Sequence, residues 1–87
     1  MGSNEFLKRC KEIVVGYYNT KVAVDYKITE DNVFIVWSSK TLQNAKAMVS
    51  TTAKDTRYFE ITYNGDKQEF YVDAYTKEAN YVIPFYV

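Results

Sequence analysis

The chain contains no histidine among its 87 residues, and its only cysteine is Cys10. Without histidine it lacks the usual base of nucleophilic dyads and triads and the commonest metal ligand in proteins. A single cysteine cannot form a disulfide within the chain. Ordinary structural zinc sites need several Cys or His ligands, so a chain with one cysteine and no histidine cannot form one. We therefore expect a protein that is not an enzyme and that binds no metal and no cofactor.

Chain-breaking residues are also scarce, since the sequence has three glycines and one proline. Three scattered glycines exclude a glycine-rich loop that would bind phosphate. The hydrophobic fraction of 47% is typical of globular proteins and higher than that of disordered chains. A chain of this length has room for one hydrophobic core, so we predict a single domain over residues 1–87.

The charges balance, because eleven Lys and Arg residues oppose eleven Asp and Glu residues. This neutrality lowers the expectation of nucleic-acid binding, which normally depends on net positive charge. The longest apolar run, Val33–Trp37, is too short to span a bilayer, and charged residues interrupt the N-terminal segment where a signal peptide would be apolar. The lone cysteine favours a reducing compartment. We expect a cytoplasmic protein that does not bind membranes.

Apolar residues near the N-terminus recur with the period of an α-helix. They are Phe6, Leu7, Cys10, Ile13, Val14 and Tyr17. Gly16 and Asn19 predict the end of this helix. Because Cys10 lies within the apolar stripe, it is predicted to be a small buried core residue rather than a reactive thiol.

The rest of the sequence is typical of short strands separated by polar turns. Val33–Ser38, which follows the polar turn Thr29–Asn32, is rich in β-branched and aromatic residues on both faces and predicts a central strand or one whose second face is covered. Residues 42–52 fit either a short helix or a strand after a loop at Lys40–Asn44. We prefer the strand, because Val-Ser-Thr-Thr is a poor helix end. Alternation over residues 22–26 allows a further short strand.

The strongest hairpin signal joins Arg57–Tyr63 to Gln68–Tyr75 through Asn64-Gly65-Asp66-Lys67. A two-residue Asn-Gly turn would place Glu60 opposite Glu69, and such like-charge pairs are unfavourable. A four-residue loop, which we therefore prefer, would instead place Ile61 opposite Phe70 and Phe59 opposite Val72. One side of this hairpin would then face the helix with Phe59, Ile61, Phe70, Val72 and Ala74. The other side would carry Tyr58, Glu60, Thr62, Glu69, Tyr71, Asp73 and Tyr75.

The last seven residues, Tyr81–Val87, form an unusually apolar run. Pro84 has no N–H group to donate, so the run is predicted to be an edge strand. We expect it to dock on the fold, with a homodimer through this edge as the alternative. The predicted fold class is α+β, with one N-terminal helix packed on a four- to five-stranded, mainly antiparallel β-meander.

The tyrosines of the hairpin's second side are the best candidates for an interaction surface. Tyr58, Tyr71 and Tyr75 would offer area and hydroxyl groups to a protein partner, or stacking surfaces to nucleic-acid bases. The only local basic region precedes them in the sequence and contains Lys40, Lys46, Lys54 and Arg57. Glu60, Glu69 and Asp73 on the same side are expected to be ordinary solvated carboxylates rather than an acid/base pair.

Several segments resemble one uncharacterised family of short proteins encoded by phages and prophages of Gram-positive bacteria. The resemblance rests on Val36–Ala47 with its Lys-Thr-Leu-Gln-Asn string, on Tyr63–Lys67, on Asp73–Tyr75 and on Cys10–Val14. It implies a phage-borne accessory protein acting inside a bacterium, and it implies no catalytic residues. We therefore expect a protein that binds and modulates a host or phage protein, with a small nucleic-acid-binding protein as the alternative.

Overall fold

The structure is a computed structural model that describes residues 1–22 and 27–85. Within these residues a helix and a 3-10 turn at Glu30–Asn32 precede an antiparallel sheet whose strands follow chain order. The main elements are α1 (Ser3–Lys21), β1 (Val33–Thr41), β2 (Asn44–Thr51), β3 (Arg57–Asn64) and β4 (Glu69–Thr76). The predicted α+β fold is confirmed, and so is the strand preferred for residues 42–52. The further strand suggested for residues 22–26 falls almost entirely outside the described residues.

The helix is longer than its sequence signals predict, because it passes Gly16 and Asn19 and ends at Lys21. The Asn19 side chain does not end the helix but binds the returning chain. Its amide oxygen accepts from the Ile28 N–H and its amide nitrogen donates to the Ile28 carbonyl, each at 3.1 Å. Asn19 therefore holds the buried Ile28 against the helix end.

The core lies between α1 and the sheet. Phe6, Cys10, Val14 and Tyr18, one from each helical turn, are buried there. They face the buried residues Ala45, Ala47, Val49, Phe59 and Ile61 of β2 and β3. Cys10 is fully buried, as predicted, and its burial raises the pKa of the thiol to about 12. The thiol therefore stays protonated, unlike a reactive cysteine, whose pKa is lowered.

Tyr18, which the predicted helix stripe leaves out, connects the helix to the β2–β3 connection through its buried hydroxyl. The hydroxyl donates to the Asp55 carbonyl at 2.5 Å. It accepts from the Arg57 N–H at 2.9 Å and from the Thr51 hydroxyl at 3.3 Å. These three bonds use the one donor and both acceptor positions that a hydroxyl has, so the buried group is fully satisfied.

The β3–β4 register differs from the preferred one by two residues, and that prediction was wrong. Ile61 lies opposite Val72, and Phe59 lies opposite Ala74. The loop has four residues as expected, but it occupies residues 65–68. The Asn64 side-chain oxygen accepts from the N–H groups of residues 66 and 67 at 3.0 and 3.2 Å, which starts the turn one residue later. A shift of two residues keeps every side chain on its predicted side of the sheet.

The first hairpin contains a tighter turn and an irregular strand. Only Leu42 and Gln43 separate β1 from β2, instead of a loop at Lys40–Asn44, and Leu42 adopts a left-handed φ of 55°. A bulge between Ile35 and Trp37 shifts the pairing, so that Trp37 lies opposite Met48. As a result, Trp37 projects from the sheet side opposite the helix.

The predicted edge strand at Tyr81–Val87 does not form within residues 81–85, and Tyr81, Val82 and Ile83 are not docked on the fold. No turn or bend occurs from Lys77 to Pro84. The side chains of Tyr81, Val82 and Ile83 are 76%, 89% and 68% exposed. An edge strand needs a neighbouring strand to bond, and this segment leaves the sheet at Thr76 without turning back.

Candidate functional site

The sheet side away from α1, here called the outer face, carries exposed aromatic side chains on its two edge strands, β1 and β4. Phe34, Trp37, Tyr71 and Tyr75 are between 44% and 50% exposed. Side chains alternate between the two sides of a strand, so residues next to those that face the helix lie on the outer face. In β1 the bulge before Trp37 places that side chain on the same side as Phe34. A two-layer fold with one helix covers one side of its sheet, so this aromatic surface meets solvent.

The strand register arranges the outer face in rows. Phe34, Ser50, Tyr58 and Tyr75 form one row across all four strands. Trp37, Met48, Glu60 and Asp73 form the neighbouring row. Tyr58 therefore lies directly opposite Tyr75, and Phe34 and Trp37 lie side by side at the β1 ends of the two rows. The two rows together make a continuous, mainly apolar surface with carboxylates at the β3–β4 side.

Glu60 and Asp73 lie directly opposite each other, which is the kind of like-charge pair that the preferred register avoided. Such pairs destabilise a sheet by a few tenths of a kcal/mol or more. Lys46 on β2 partly compensates, since its ammonium group lies 3.4 Å from the Glu60 carboxylate. The Tyr71 hydroxyl donates to Glu69 at 2.6 Å, and this hydrogen bond raises the pKa of Tyr71. The face thus holds three carboxylates and one ammonium group, a formal charge of −2.

The other predicted basic residues lie elsewhere. Lys40 is on the helix-facing side of β1 opposite the buried Ala45, where its ammonium group donates to the Leu42 carbonyl. Arg57 also points to the helix side, and its guanidinium donates to Asp55 at 3.0 Å and to the Tyr17 hydroxyl at 3.4 Å. The hydrogen bond to Asp55 raises the pKa of Arg57. Of the six predicted surface residues, the structure brings together Tyr58, Tyr71, Tyr75 and Lys46.

Residues 7–85 match the model of a family of unknown function, DUF6275. The chain belongs to this family. The match takes in α1 from its second turn and all four strands of the DUF6275 fold. It confirms the resemblance to an uncharacterised family that the sequence segments indicate. No curated protein and no solved structure matches the chain.

Sequence reasoning missed two residues of this DUF6275 outer face, Phe34 and Trp37. A tryptophan within an apolar strand is usually in the core, so the sequence alone does not indicate that Trp37 is exposed. The bulge before Trp37 reverses its side, and a bulge has no signal in the composition of Val33–Thr41. Only the pairing of β1 with β2 identifies both side chains as part of the surface.

The described residues contain no cluster of three His, Cys, Asp or Glu side chains suited to hold a metal ion. None of their helices is both long and apolar enough to cross a membrane. What residues 1–22 and 27–85 do present is a solvent-facing surface of aromatic rings, one thioether and a small acidic cluster. A surface of this kind is suited to packing and to charge complementarity.

Proposed function

We propose that this DUF6275 protein is a non-enzymatic accessory protein of phage or prophage origin that binds and modulates a host or phage protein. It acts in the bacterial cytoplasm, and inhibition of a host defence or replication factor is one form of this activity. The observation that carries the proposal is the outer face, where Phe34, Trp37, Tyr71 and Tyr75 meet solvent together. Because the function of the family is unknown, the proposal rests on the chemistry of this surface.

Aromatic side chains suit protein recognition because they bury large areas at small conformational cost. Tyrosine and tryptophan are enriched among the residues that contribute most to interfaces. Trp37 and Tyr75 mark two rows that cross four strands, a width of about 15 Å at the usual strand spacing. This breadth fits the desolvated centre of an ordinary protein interface, with the carboxylates of Glu60 and Asp73 near its edge.

The charge of the outer face favours a protein partner over the nucleic-acid alternative. Phosphate groups would approach three carboxylates, and Lys46 is already paired with Glu60. Lys40 and Arg57, which the alternative requires, project from the opposite side of the sheet. A protein surface that combines apolar groups with Lys or Arg side chains complements this face, because cations bind both aromatic rings and carboxylates.

Affinity capture tests the proposal. Immobilised wild type and a Trp37→Ala/Tyr71→Ser/Tyr75→Ser variant are exposed to a lysate of a Gram-positive bacterium, and captured proteins are quantified by mass spectrometry. We expect a specific partner that the variant loses and that a Leu42→Asn control retains, since Leu42 is an equally apolar exposed residue at a hairpin tip. Circular dichroism verifies that each variant is folded.

Two results would contradict the proposal. One is a folded outer-face variant that captures the same proteins as the wild type. The other is nucleic-acid binding in fluorescence anisotropy at ~50 mM salt that weakens steeply as salt rises, because counterion release produces that dependence. The second result, abolished by Lys46→Gln, would favour the alternative function.

A further inference from the structure

An apolar groove lies between α1 and β4, on the side of the sheet opposite the outer face. It has a volume of about 450 Å³ and is lined by Ile13, Gly16, Tyr17, Thr20, Lys21 and Val72. The groove exists because the helix reaches β4 at one end, where the Phe6 and Phe70 rings stack at 6.3 Å. Farther along, Val72 is 39% exposed although its cross-strand neighbour Ile61 is fully buried. The apolar surface of the sheet therefore extends beyond the part that the helix covers.

The strand that borders this groove is also the edge of the sheet. β4 pairs with β3, and no other strand pairs with it among the described residues. Its sequence Glu69–Thr76 contains no proline and no lysine, and it shows no bulge, so three of the features that prevent edge-to-edge pairing are absent, while the charges of Glu69 and Asp73 remain. A further strand could bond to this edge and place alternate side chains over the groove.

The chain carries a segment with the matching chemistry, residues 81–87, here called the tail. Tyr81, Val82 and Ile83 are at least 68% exposed, in a protein whose core residues are almost fully buried. Natural proteins rarely leave such a run of large apolar side chains in water. Alternation along an added strand would direct Tyr81 and Ile83 to one side, and Pro84 could occupy a position whose N–H would point away from the sheet.

We propose that the tail of one copy binds along β4 of a second copy and fills the groove between α1 and β4, so that two copies exchange tails in a symmetric dimer. The path of the chain selects a second copy. Residues 77–84 continue past Thr76 without a turn or bend, and four such residues carry the chain about 13 Å beyond β4. Residues 77–84 therefore lead away from the chain's own groove, and the radius of gyration, 14.8 Å, exceeds the ~12 Å of a compact chain of this length.

The contact area is sufficient for a stable dimer. Tyr81 and Ile83 of each tail, at about 150 Å² each, would cover an equal area of groove, which gives roughly 1,200 Å² for two tails. This value lies within the range of specific interfaces. Because the chain has no net charge, electrostatic repulsion between copies does not oppose association. The interaction uses neither the aromatic rows nor the carboxylates of the outer face, so it stands independently of the proposed function.

Light scattering coupled to size-exclusion chromatography tests the dimer. At ~100 µM, well above the dissociation constants usual for interfaces of this size, we expect wild type at twice the 10.2 kDa of one chain. A chain that ends at Asn80 and a Val72→Lys variant should both elute at the mass of one chain. Val36→Lys is the matched control, since Val36 is a similarly exposed valine on the opposite edge strand, and it should remain dimeric.

Mixing experiments establish which parts meet. The chain ending at Asn80 keeps its groove and the Val72→Lys variant keeps its tail, so an equimolar mixture should recover part of the dimer. A mixture of Val72→Cys and Ile83→Cys should form a disulfide between copies, because the buried Cys10 does not compete. A monomeric wild type would overturn the proposal, and lowered thermal stability of the shortened chain would then indicate docking on its own groove. A dimer that survives both removal of the tail and Val72→Lys would also overturn it.

Discussion

Gly65 lies where the β1–β2 turn and the β3–β4 loop meet, and its lack of a side chain allows that contact. A Cβ at this position would lie 2.2 Å from the Gln43 carbonyl oxygen, whereas one at Gly16 would meet open space. We expect Gly65→Ala to lower the free energy of unfolding by about 1–3 kcal/mol, because the backbone of one turn must move. Gly16→Ala, inside the helix, should raise it by about 0.5–1 kcal/mol. Urea unfolding measures both, and equal stabilities would contradict the prediction.

The Tyr18 hydroxyl is the second residue with a large expected effect. Tyr18→Phe leaves the Asp55 carbonyl and the Arg57 N–H without their partner, so we expect a loss of about 1–3 kcal/mol. Tyr17→Phe is the control, because the neighbouring Tyr17 hydroxyl accepts one bond, from Arg57 at 3.4 Å. The control should lose less than about 1 kcal/mol. Thermal and urea unfolding of the pair decide the point, and similar losses would show that the Tyr18 network contributes little.

Cys10 makes stability depend on pH in the alkaline range. Burial raises the pKa of the folded thiol from 9.0 to about 12, so between these values the unfolded chain loses a proton that the folded chain keeps. The contribution is complete below pH 9 and falls as pH rises, by up to about 1.4 kcal/mol per unit. Cys10→Ala should flatten this fall, although tyrosines titrate in the same range in both proteins. Unfolding free energies at several pH values between 9 and 11 test it, and parallel curves would refute it.

At the scale of elements, local periodicity was sufficient to predict the helix stripe and the alternation of β3 and β4. A strand could also be chosen for residues 42–52, because Val-Ser-Thr-Thr is a poor helix end. The predicted helix end was wrong because the Asn19 side chain bonds the backbone of Ile28, a tertiary contact that the local sequence does not indicate. The side of Trp37 could not be predicted either, since a bulge arises from pairing between strands.

The β3–β4 register shows the same limit with a functional consequence. The predicted register was chosen because it keeps carboxylates from lying opposite each other. The turn that begins at Asn64 fixes a different register, in which Glu60 lies opposite Asp73. Tyr58, Tyr71 and Tyr75 were nevertheless predicted on the correct side, because a shift of two residues preserves it. The candidate surface was therefore partly predictable, whereas its acidic pair and its aromatic residues on β1 required the three-dimensional pairing.

The opposed carboxylates lead to a prediction about β4. Asp73→Thr removes the repulsion and introduces a β-branched residue, so we expect a gain of about 0.2–1 kcal/mol in the free energy of unfolding. High salt should reduce the difference, because screening weakens the repulsion in the wild type. The same variant should weaken capture of a partner that carries Lys or Arg at the interface. A variant less stable than the wild type at low salt would show that Lys46 fully compensates the pair.

At the scale of the whole molecule, we propose different partners for the two sides of the sheet, another protein for the outer face and a second copy for the groove. A flat molecule 19 Å thick allows both to bind together. Exchange of tails would also make stability depend on concentration, because only folded copies associate. The urea midpoint of wild type should rise with protein concentration, and an unfolding reaction from dimer to two chains changes by about 1.4 kcal/mol per tenfold dilution. The chain ending at Asn80 should show one midpoint at all concentrations, and so should Val72→Lys. A wild-type midpoint that does not change with concentration would contradict the exchange of tails and would leave the proposed function of the outer face unaffected.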